Sequence, residues 1–233
     1  VQAMPKSALL MLIAVVISGV SGGTCCAQIA CRYEAKIFLG PDCGIFGPAI
    51  TYVGGISPNG QYVCGSYEVC TPGSPRAWYW SEATGMVVLP LPMGSANMQA
   101  YDMNDRGQIV GACWGGSMGW RGFIYDVHVN HYNFVYNLAE GQCEIRAINN
   151  SGEACGTRTI DPTPYSAAFI RHADGTLTDL GVINGPRSGA MDIAQDGVVV
   201  GWTGIGNNYP GEVAFIYDRG ITTLLPPVGP DGS

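Results

Sequence analysis

Charged side chains are scarce in this sequence, and the positive ones are the scarcest. Only 12% of the 233 residues are Asp, Glu, Lys or Arg, and the formal net charge is −7. The arginines are scattered singly, and Lys36 is the only lysine after residue 27. Binding to nucleic acid requires a basic stripe that displaces counterions from phosphates. The sequence therefore predicts no nucleic-acid partner and no attachment to anionic membrane surfaces.

A run long enough to cross a membrane is absent too. The longest apolar stretch, from Ala8 to Val20, is shorter than the roughly 20 residues that span a bilayer. Met4 and Lys6 precede it, and small residues follow it up to Ala27. This order predicts a secretory signal peptide over residues 4–27, cleaved after Ala27. We expect a secreted, extracellular protein, with the periplasm or the cell surface as alternatives, and no membrane attachment after cleavage.

Cysteine motifs for metal binding are missing. No C-x-x-C pair and no Cys/His spacing of a zinc site occurs. An oxidising environment favours some disulfides, but an odd number of cysteines leaves at least one unpaired within the chain. Their connectivity stays open. The cysteines after residue 27 are Cys31, Cys43, Cys64, Cys70, Cys113, Cys143 and Cys155.

Glycine and proline are abundant, with 34 and 15 residues. Both supply the backbone angles that tight turns require. Hydrophobic residues make up 47% of the chain, too many for a disordered protein. No helical periodicity occurs after residue 27. These features predict a globular all-β protein with many turns.

A repeat of about 45 residues organises the chain. Each copy has a turn around one glycine, then a short aromatic and aliphatic run, then a run rich in Thr, Leu and Val. The turn segments are ISPNGQYVCG (56–65), MNDRGQIVG (103–111), INNSGEACG (148–156) and IAQDGVVVG (193–201). The aromatic runs are AWYW (77–80), GFIY (122–125), AFIR (168–171) and AFIY (214–217). The predicted structural turn glycines are Gly60, Gly107, Gly152 and Gly197, where positive φ is needed.

Each copy predicts four short strands, the size of one propeller blade. We therefore expect a β-propeller-like array of four blades, each a short four-stranded antiparallel sheet, in a closed or an incomplete ring. The domain organisation is a lead-in segment over 28–47 and a four-copy β-repeat domain over 48–233, with copies that start near residues 56, 103, 148 and 193. Residues 48–55 are predicted to be an extra strand that either completes the last blade or marks a fragment of a longer array. A β-solenoid is the less favoured architecture.

The repeat resembles the HAF repeats of predicted bacterial extracellular proteins. The third copy carries the pattern best, in Ile148–Gly152, Ala168–Ile170 and Asp174–Gly181. The His that opens the family's name motif is absent, because Ala167 stands in its place in this copy. The resemblance covers about residues 50 to 226 and implies an exported repeat protein. It implies no activity and no catalytic residues.

Three motifs match known sites only in part. Gly115–Gly119 has the G-x-S-x-G spacing of a hydrolase nucleophile, but no helix is predicted after it. Asp126, His128 and His131 form a loop cluster with too few ligands for a closed metal site. Asp102–Gly107 resembles a calcium loop but places Arg106 at a ligand position. We expect no metal and no cofactor.

The remaining candidates are acids and tryptophans. Asp102, Asp179 and Asp192 lie at repeat-matched positions, which favours structural roles. Trp114, Trp120 and Trp202 are not repeated, and rings beside Gly-rich loops can stack on a sugar or peptide. They are the candidate ligand contacts, with no catalytic residues assigned. We expect a non-catalytic binding or surface-interaction module for an extracellular glycan or protein. A carbohydrate-active β-propeller enzyme, a hydrolase or lyase, is the alternative.

Overall fold

The structure is a computed structural model of the chain. It describes residues 14–15, 35–41, 49–69, 74–115, 118–135, 141–160, 165–183, 185–204 and 212–226. Every regular element in these ranges is a β-strand. Within the same ranges, no helix is long and apolar enough to cross a membrane. The predicted signal peptide lies outside the described residues except for Ala14–Val15.

Sixteen strands form four successive groups of four, which we call blades 1 to 4. Blade 1 comprises β3 (Thr51–Ile56), β4 (Tyr62–Glu68), β5 (Pro75–Ser81) and β6 (Gly85–Val88). Blade 2 comprises β7 (Asn97–Met103), β8 (Gln108–Gly115), β9 (Met118–Asp126) and β10 (His131–Phe134). Blade 3 comprises β11 (Cys143–Ile148), β12 (Ala154–Ile160), β13 (Tyr165–Arg171) and β14 (Leu177–Gly181). Blade 4 comprises β15 (Arg187–Ile193), β16 (Val199–Gly204), β17 (Glu212–Asp218) and β18 (Ile221–Leu224).

Within each blade, consecutive strands pair antiparallel. A single parallel bridge between Ser166 and Arg187 joins the sheets of blades 3 and 4. Two further two-residue strands, β1 (Ala14–Val15) and β2 (Ala35–Lys36), pair with each other. The prediction of an all-β array of four-stranded antiparallel sheets is therefore confirmed.

The strand before each turn belongs to the same blade as that turn. Strand β3 pairs with β4 along its whole length, from Thr51↔Tyr67 to Ile56↔Val63. The expectation that residues 48–55 could complete the last blade is therefore wrong. Within each blade every strand pairs with its neighbour in sequence, since a tight turn makes that strand the nearest partner in space.

The blades stack through apolar faces. Separate buried clusters lie between blades 1 and 2, 2 and 3, and 3 and 4. Each blade contributes one fully buried ring, at the second position of its aromatic run: Trp78, Phe123, Phe169 and Phe215. Burying one such ring stabilises the fold by about 1.5–3 kcal/mol. Stacking thus supplies the core that a single blade cannot form alone.

The lead-in segment covers the side of blade 1 that faces away from blade 2. There Phe38 of the lead-in segment packs on Trp78 with ring centroids 5.1 Å apart, and it meets Trp80 at 5.8 Å. Ala49 packs against the same cluster. The lead-in segment therefore takes the place of a preceding blade.

A ladder of hydrogen bonds connects the turns of neighbouring blades. The Asp105 N–H donates to Asn150 Oδ1 at 2.9 Å, and the Asn150 N–H donates to Gln195 Oε1 at 2.9 Å. In blade 1 the equivalent residue is Pro58, which has no N–H, and the Asn59 N–H donates to Asp105 Oδ1 instead. The same rung thus recurs about every 45 residues.

A second rung is made by the buried turn asparagines. Asn149 is completely buried, and its Oδ1 accepts the Glu153 N–H at 3.0 Å. Its Nδ2 donates to the Ala194 carbonyl of the next blade at 3.2 Å. Asn104 makes the equivalent contact to the Asn149 carbonyl at 3.0 Å. These side chains satisfy backbone groups on both sides of a blade junction.

We expect Asn149→Ala to lower the free energy of unfolding by about 1–3 kcal/mol, because it leaves buried backbone groups unsatisfied. Urea denaturation measures this change. The control is Asn133→Ala on the exposed face of β10, which should change stability by less than about 0.5 kcal/mol. Equal stability of the two variants would contradict a stabilising role for the Asn149 hydrogen bonds.

The turn glycines adopt positive φ: 72° at Gly60, 71° at Gly107, and 87° at both Gly152 and Gly197. At Gly107 a Cβ atom would also lie 2.6 Å from Val127 Cγ2. The predicted turn geometry is therefore confirmed in all four copies.

We expect Gly107→Val to destabilise the protein by about 1–3 kcal/mol, since a β-branched residue is strained at positive φ. The control is Gly204→Val, because Gly204 lies in a strand and a Cβ there would meet, among the described residues, only Arg187 atoms at 3.8 Å and beyond. Thermal melting compares both variants with the parent, and an unchanged melt for Gly107→Val would contradict the turn assignment.

Candidate functional site

The two ends of the array differ. One end, the turn face, carries the repeated turns at 57–61, 104–107, 149–153 and 194–198. The opposite end, which we call the loop face, carries the ends of the second strands and the starts of the third strands, such as Gly115 and Met118 in blade 2. The turns are alike and joined by the ladder, whereas the second and third strands are separated in sequence by two to seven residues. Variable loops on a rigid scaffold are where proteins place recognition residues.

Trp114 and Trp120 form a stacked pair at the loop face. Trp114 lies near the end of β8 and Trp120 near the start of β9. Their ring centroids are 4.0 Å apart and their planes differ by 20°. Trp120 is 38% exposed. The structure thus brings two of the predicted contact residues together and leaves part of one ring accessible.

Gln142 supports this pair from the start of blade 3. Its side chain accepts the backbone N–H of Trp120 at Oε1, at 3.1 Å. Thr159 holds the backbone of Gln142 through two hydrogen bonds. The Gln142 N–H donates to Thr159 Oγ1 at 3.0 Å, and the Thr159 N–H donates to the Gln142 carbonyl at 2.8 Å. We name Trp114, Trp120 and Gln142 the tryptophan platform. Sequence reasoning missed Gln142, because it lies about 22 residues from Trp120 and joins it only through the blade junction.

The third predicted contact, Trp202, lies elsewhere. It belongs to β16 of blade 4 and pairs across the strands with Gly189. The Arg187 guanidinium lies 5.9 Å from its ring centroid. The three tryptophans therefore do not form one site.

The first strand of each blade carries a β-bulge at the same position. The bulged residues are Gly54, Tyr101, Arg146 and Met191. Arg146 stacks on the Tyr101 ring at 4.5 Å, and its Nε and a terminal nitrogen both donate to Glu144 Oε1, at 3.0 and 2.7 Å. Burial raises the pKa of Tyr101 to about 12, and the charge of Glu144 adds to the increase while Arg146 opposes it. A different residue type occupies the bulge in each copy, and no sequence pattern shared by the four copies marks it.

The three predicted acids have separate environments. Asp102 Oδ2 accepts the Ile148 N–H of blade 3 at 2.9 Å. Asp179 forms an ion pair with Arg158 on blade 3, and Asp192 is exposed on β15. Burial raises the pKa of Asp102 to about 6, and the charge of Asp192 adds to it, while N–H bonds from Ile148 and Met103 oppose it. The Asp102 carboxylate thus connects blades.

The turn face holds a hydrogen-bonded histidine. His172 meets Glu153 Oε1 through Nδ1 at 3.0 Å and Thr178 Oγ1 through Nε2 at 2.8 Å. This bond to His172 is the main reason that the pKa of Glu153 is lowered. Glu153 Oε2 also accepts Asn149 Nδ2 at 3.1 Å, so the group belongs to the turn network.

The partial motifs contribute no site among the described residues. In Gly115–Gly119, Gly115 pairs with Met118 and strand β9 follows directly, while residues 116–117 lie outside the described part. Asp126 Oδ1 accepts the His128 N–H at 2.9 Å, as in an Asx turn. In the ranges that the structure covers, no three His, Cys, Asp or Glu residues are grouped to hold a metal ion.

Of the seven cysteines after residue 27, four are described, and all four are buried free thiols: Cys64, Cys113, Cys143 and Cys155. Burial raises the pKa of each, to about 11 for Cys143. Such thiols are poor nucleophiles. Cys31, Cys43 and Cys70 lie outside the described residues.

A cavity of about 410 Å³ lies beside the lead-in segment. Its lining residues are Lys36, Ile37, Phe38, Leu39, Trp80 and Met86. The Lys36 ammonium lies 4.3 Å from the Trp80 ring centroid and forms an ion pair with Glu82. These contacts attach the lead-in segment to blade 1.

Two solved structures show the same fold. The crystal structure of TolB from Acinetobacter baumannii superposes with a TM-score of 0.53 at 13% identity, over 77% of this chain and 44% of that chain. The β-propeller domain of the Trilobed protease from Pyrococcus furiosus, described as having an open velcro topology, superposes with a TM-score of 0.50 at 13% identity, over 83% of this chain and 59% of that chain. The class of the protein is therefore β-propeller-like. This chain spans less than two thirds of either structure, and the likeness at this identity concerns the fold alone.

The sequence matches no protein-family model and no curated protein sequence. The resemblance to HAF repeats remains a prediction from the motifs quoted above.

Asp102 provides a prediction on pH dependence. Its folded pKa, about 6, exceeds the ordinary 3.8, so its contribution to stability is present below about pH 4 and is lost as the pH rises through 6. We expect Asp102→Asn to raise the free energy of unfolding relative to the parent, and this gain should be on the order of 1–3 kcal/mol larger at pH 7 than at pH 4. Urea denaturation at both pH values measures it. The exposed control Asp218→Asn should show a much smaller difference, and equal behaviour of the two would contradict the assignment.

Proposed function

We propose that the protein is an exported, non-catalytic recognition module whose tryptophan platform binds an extracellular glycan or protein. The observation that carries the proposal is the division between the two ends of the array. The turn face is repeated and hydrogen-bonded from blade to blade, whereas the loop face carries the unrepeated Trp114–Trp120 pair.

The platform has the chemistry of a contact surface. Stacked indoles present apolar area at low conformational cost, because each ring already restrains the other. The exposed part of Trp120 provides a face for a sugar ring or a peptide side chain. The Gln142 side chain, bonded to the Trp120 backbone, adds an exposed amide for orienting hydrogen bonds.

Export is supported by the N-terminal sequence. Residues 4–27 have the order of a secretory signal. The HAF resemblance also implies an exported protein. The partner is therefore met outside the cytoplasm, in the periplasm, at the cell surface or in the medium.

One observation favours the second candidate, a carbohydrate-active enzyme. The pKa of Asp102, about 6, lies in the range of a general acid, and Asp192 is close enough to raise it. The first candidate is preferred because the Asp102 carboxylate already accepts a backbone N–H from the next blade.

The test is a glycan and peptide array probed with the mature protein. We expect saturable binding that Trp120→Ala weakens at least about tenfold, a loss of about 1.4 kcal/mol. The matched control is Leu177→Ala, since Leu177 on β14 is 42% exposed, close to the exposure of Trp120. It should bind like the parent.

Equal weakening by both variants, or binding that Trp120→Ala leaves unchanged, would contradict the assignment of the tryptophan platform as the binding surface. Turnover of a bound glycan that Asp102→Asn abolishes would replace the proposal with the enzyme.

A further inference from the structure

The third strand of blade 2 extends past its outer neighbour towards the loop face. Strand β9 has nine residues, and β10 pairs only with the last four of them. The part of β9 beyond β10 includes Trp120 and Gly122. Their backbone N–H groups donate to side chains at the start of blade 3, to Gln142 Oε1 at 3.1 Å and to Cys143 Sγ at 3.3 Å. Blade 3 therefore completes the edge of blade 2 at the tryptophan platform.

Gly119 gives Gln142 the space to reach this edge. A Cβ atom at residue 119 would lie 2.5 Å from Gln142 Cδ and 2.6 Å from Gln142 Cγ, which is closer than van der Waals contact allows. The repeat itself does not require a glycine here. The residues at the same distance before the buried ring are Ser74 in blade 1 and Tyr165 in blade 3. The glycine is therefore matched to Gln142 and not to the blade.

The next junction makes the same contact in another way. By the same count, the equivalents of Trp120 and Gln142 at the junction of blades 3 and 4 are Ser166 and Arg187. Those two residues form the parallel bridge between the sheets, a contact of backbone with backbone. Between blades 2 and 3 a side chain makes the contact instead. Such a side chain can be displaced or exchanged without breaking a sheet, so the position of Trp120 can be changed separately from the fold.

We propose that Gly119 and Gln142 are positioning residues of the tryptophan platform, which is built by two blades. Gln142 fixes the Trp120 backbone from blade 3, and Thr159 fixes the Gln142 backbone in turn. Because the Trp120 ring stacks on Trp114, a shift of the Trp120 backbone changes how the two indoles lie against each other. The effect on ligand binding rests on the proposed function, whereas the effect on the stacked rings can be measured without a ligand.

The test is the exciton-coupled circular dichroism of the two indoles, identified by its loss in Trp114→Phe. We expect Gly119→Ala and Gln142→Met to remove most of this signal. Gln142→Glu should keep it, because a carboxylate still accepts the Trp120 N–H. All three variants should fold, since Gln142 is exposed and its side chain can move aside, and their melting temperatures check this. The control is Gly204→Ala, where an added Cβ has room among the described residues.

A double variant tests whether Gly119 acts through Gln142. Two residues that act on the ring pair through one contact have non-additive effects. In the Gln142→Met background, Gly119→Ala should therefore change the signal no further. A clear additional loss, an unchanged signal in the single variants, or a signal that Gln142→Glu fails to keep would overturn the proposal.

Probing the glycan and peptide array with Gly119→Ala separates this proposal from the proposed function. We expect binding weaker by roughly three- to tenfold, since a displaced ring loses preorganisation, while Gly204→Ala binds like the parent. A reduced dichroism signal with unchanged binding supports the positioning role and contradicts the platform as the binding surface. An unchanged signal contradicts the positioning role, whatever the array shows.

Discussion

The burial of sheet faces between neighbouring blades is the interaction on which this structure depends. A four-stranded sheet of about 30 residues has two apolar faces and can cover neither by itself. At each of the three junctions between blades, a face of one blade meets the opposite face of the next, around the fully buried rings Phe123, Phe169 and Phe215. Small residues at the facing positions, such as Ala112 and Ala168, let the sheets approach closely. The array is stable only as a stack.

Packing alone does not set the position of one blade on the next. The ladder at the turn face does this, because a hydrogen bond between a backbone N–H and a side chain has a narrow range of distance and angle. Asn104 and Asn149 are buried at successive junctions, where any slip would leave polar groups unsatisfied. Rigidity at one end leaves the other end free to vary in loop length and composition. The tryptophan platform occupies that variable end.

The outer sides of blades 1 and 4 differ within the described residues. Blade 1 has its outer side covered by the lead-in segment, through Phe38 on Trp78. On blade 4, Val200 and Ala214 are exposed, whereas their equivalents in the other blades are buried. Repeats at the end of an array usually carry a polar outer face or a cap, and the lead-in segment acts as such a cap on blade 1.

Periodicity made much of the fold predictable. Turn glycines with positive φ, β-favouring runs after them and one aromatic residue per copy are local features, and the strands and turns follow from them. The phase of the blades is not local: the repeat pattern allows residues 48–55 to complete the last blade, while the structure pairs β3 with β4. Turn geometry decides which strands belong together, and the repeat alone permits either grouping.

For the candidate site, the sequence by itself identified the unrepeated tryptophans and the repeated glycines. The fold adds that Trp114 and Trp120 stack at 4.0 Å, that Gln142 accepts the Trp120 backbone N–H, and that Trp202 belongs to another surface. The physical reason is that contacts within a blade span few residues, so composition and spacing encode them. Contacts between blades join residues farther apart in the chain, 22 positions for Gln142 with Trp120 and 45 for the ladder, and they depend on how whole sheets stack.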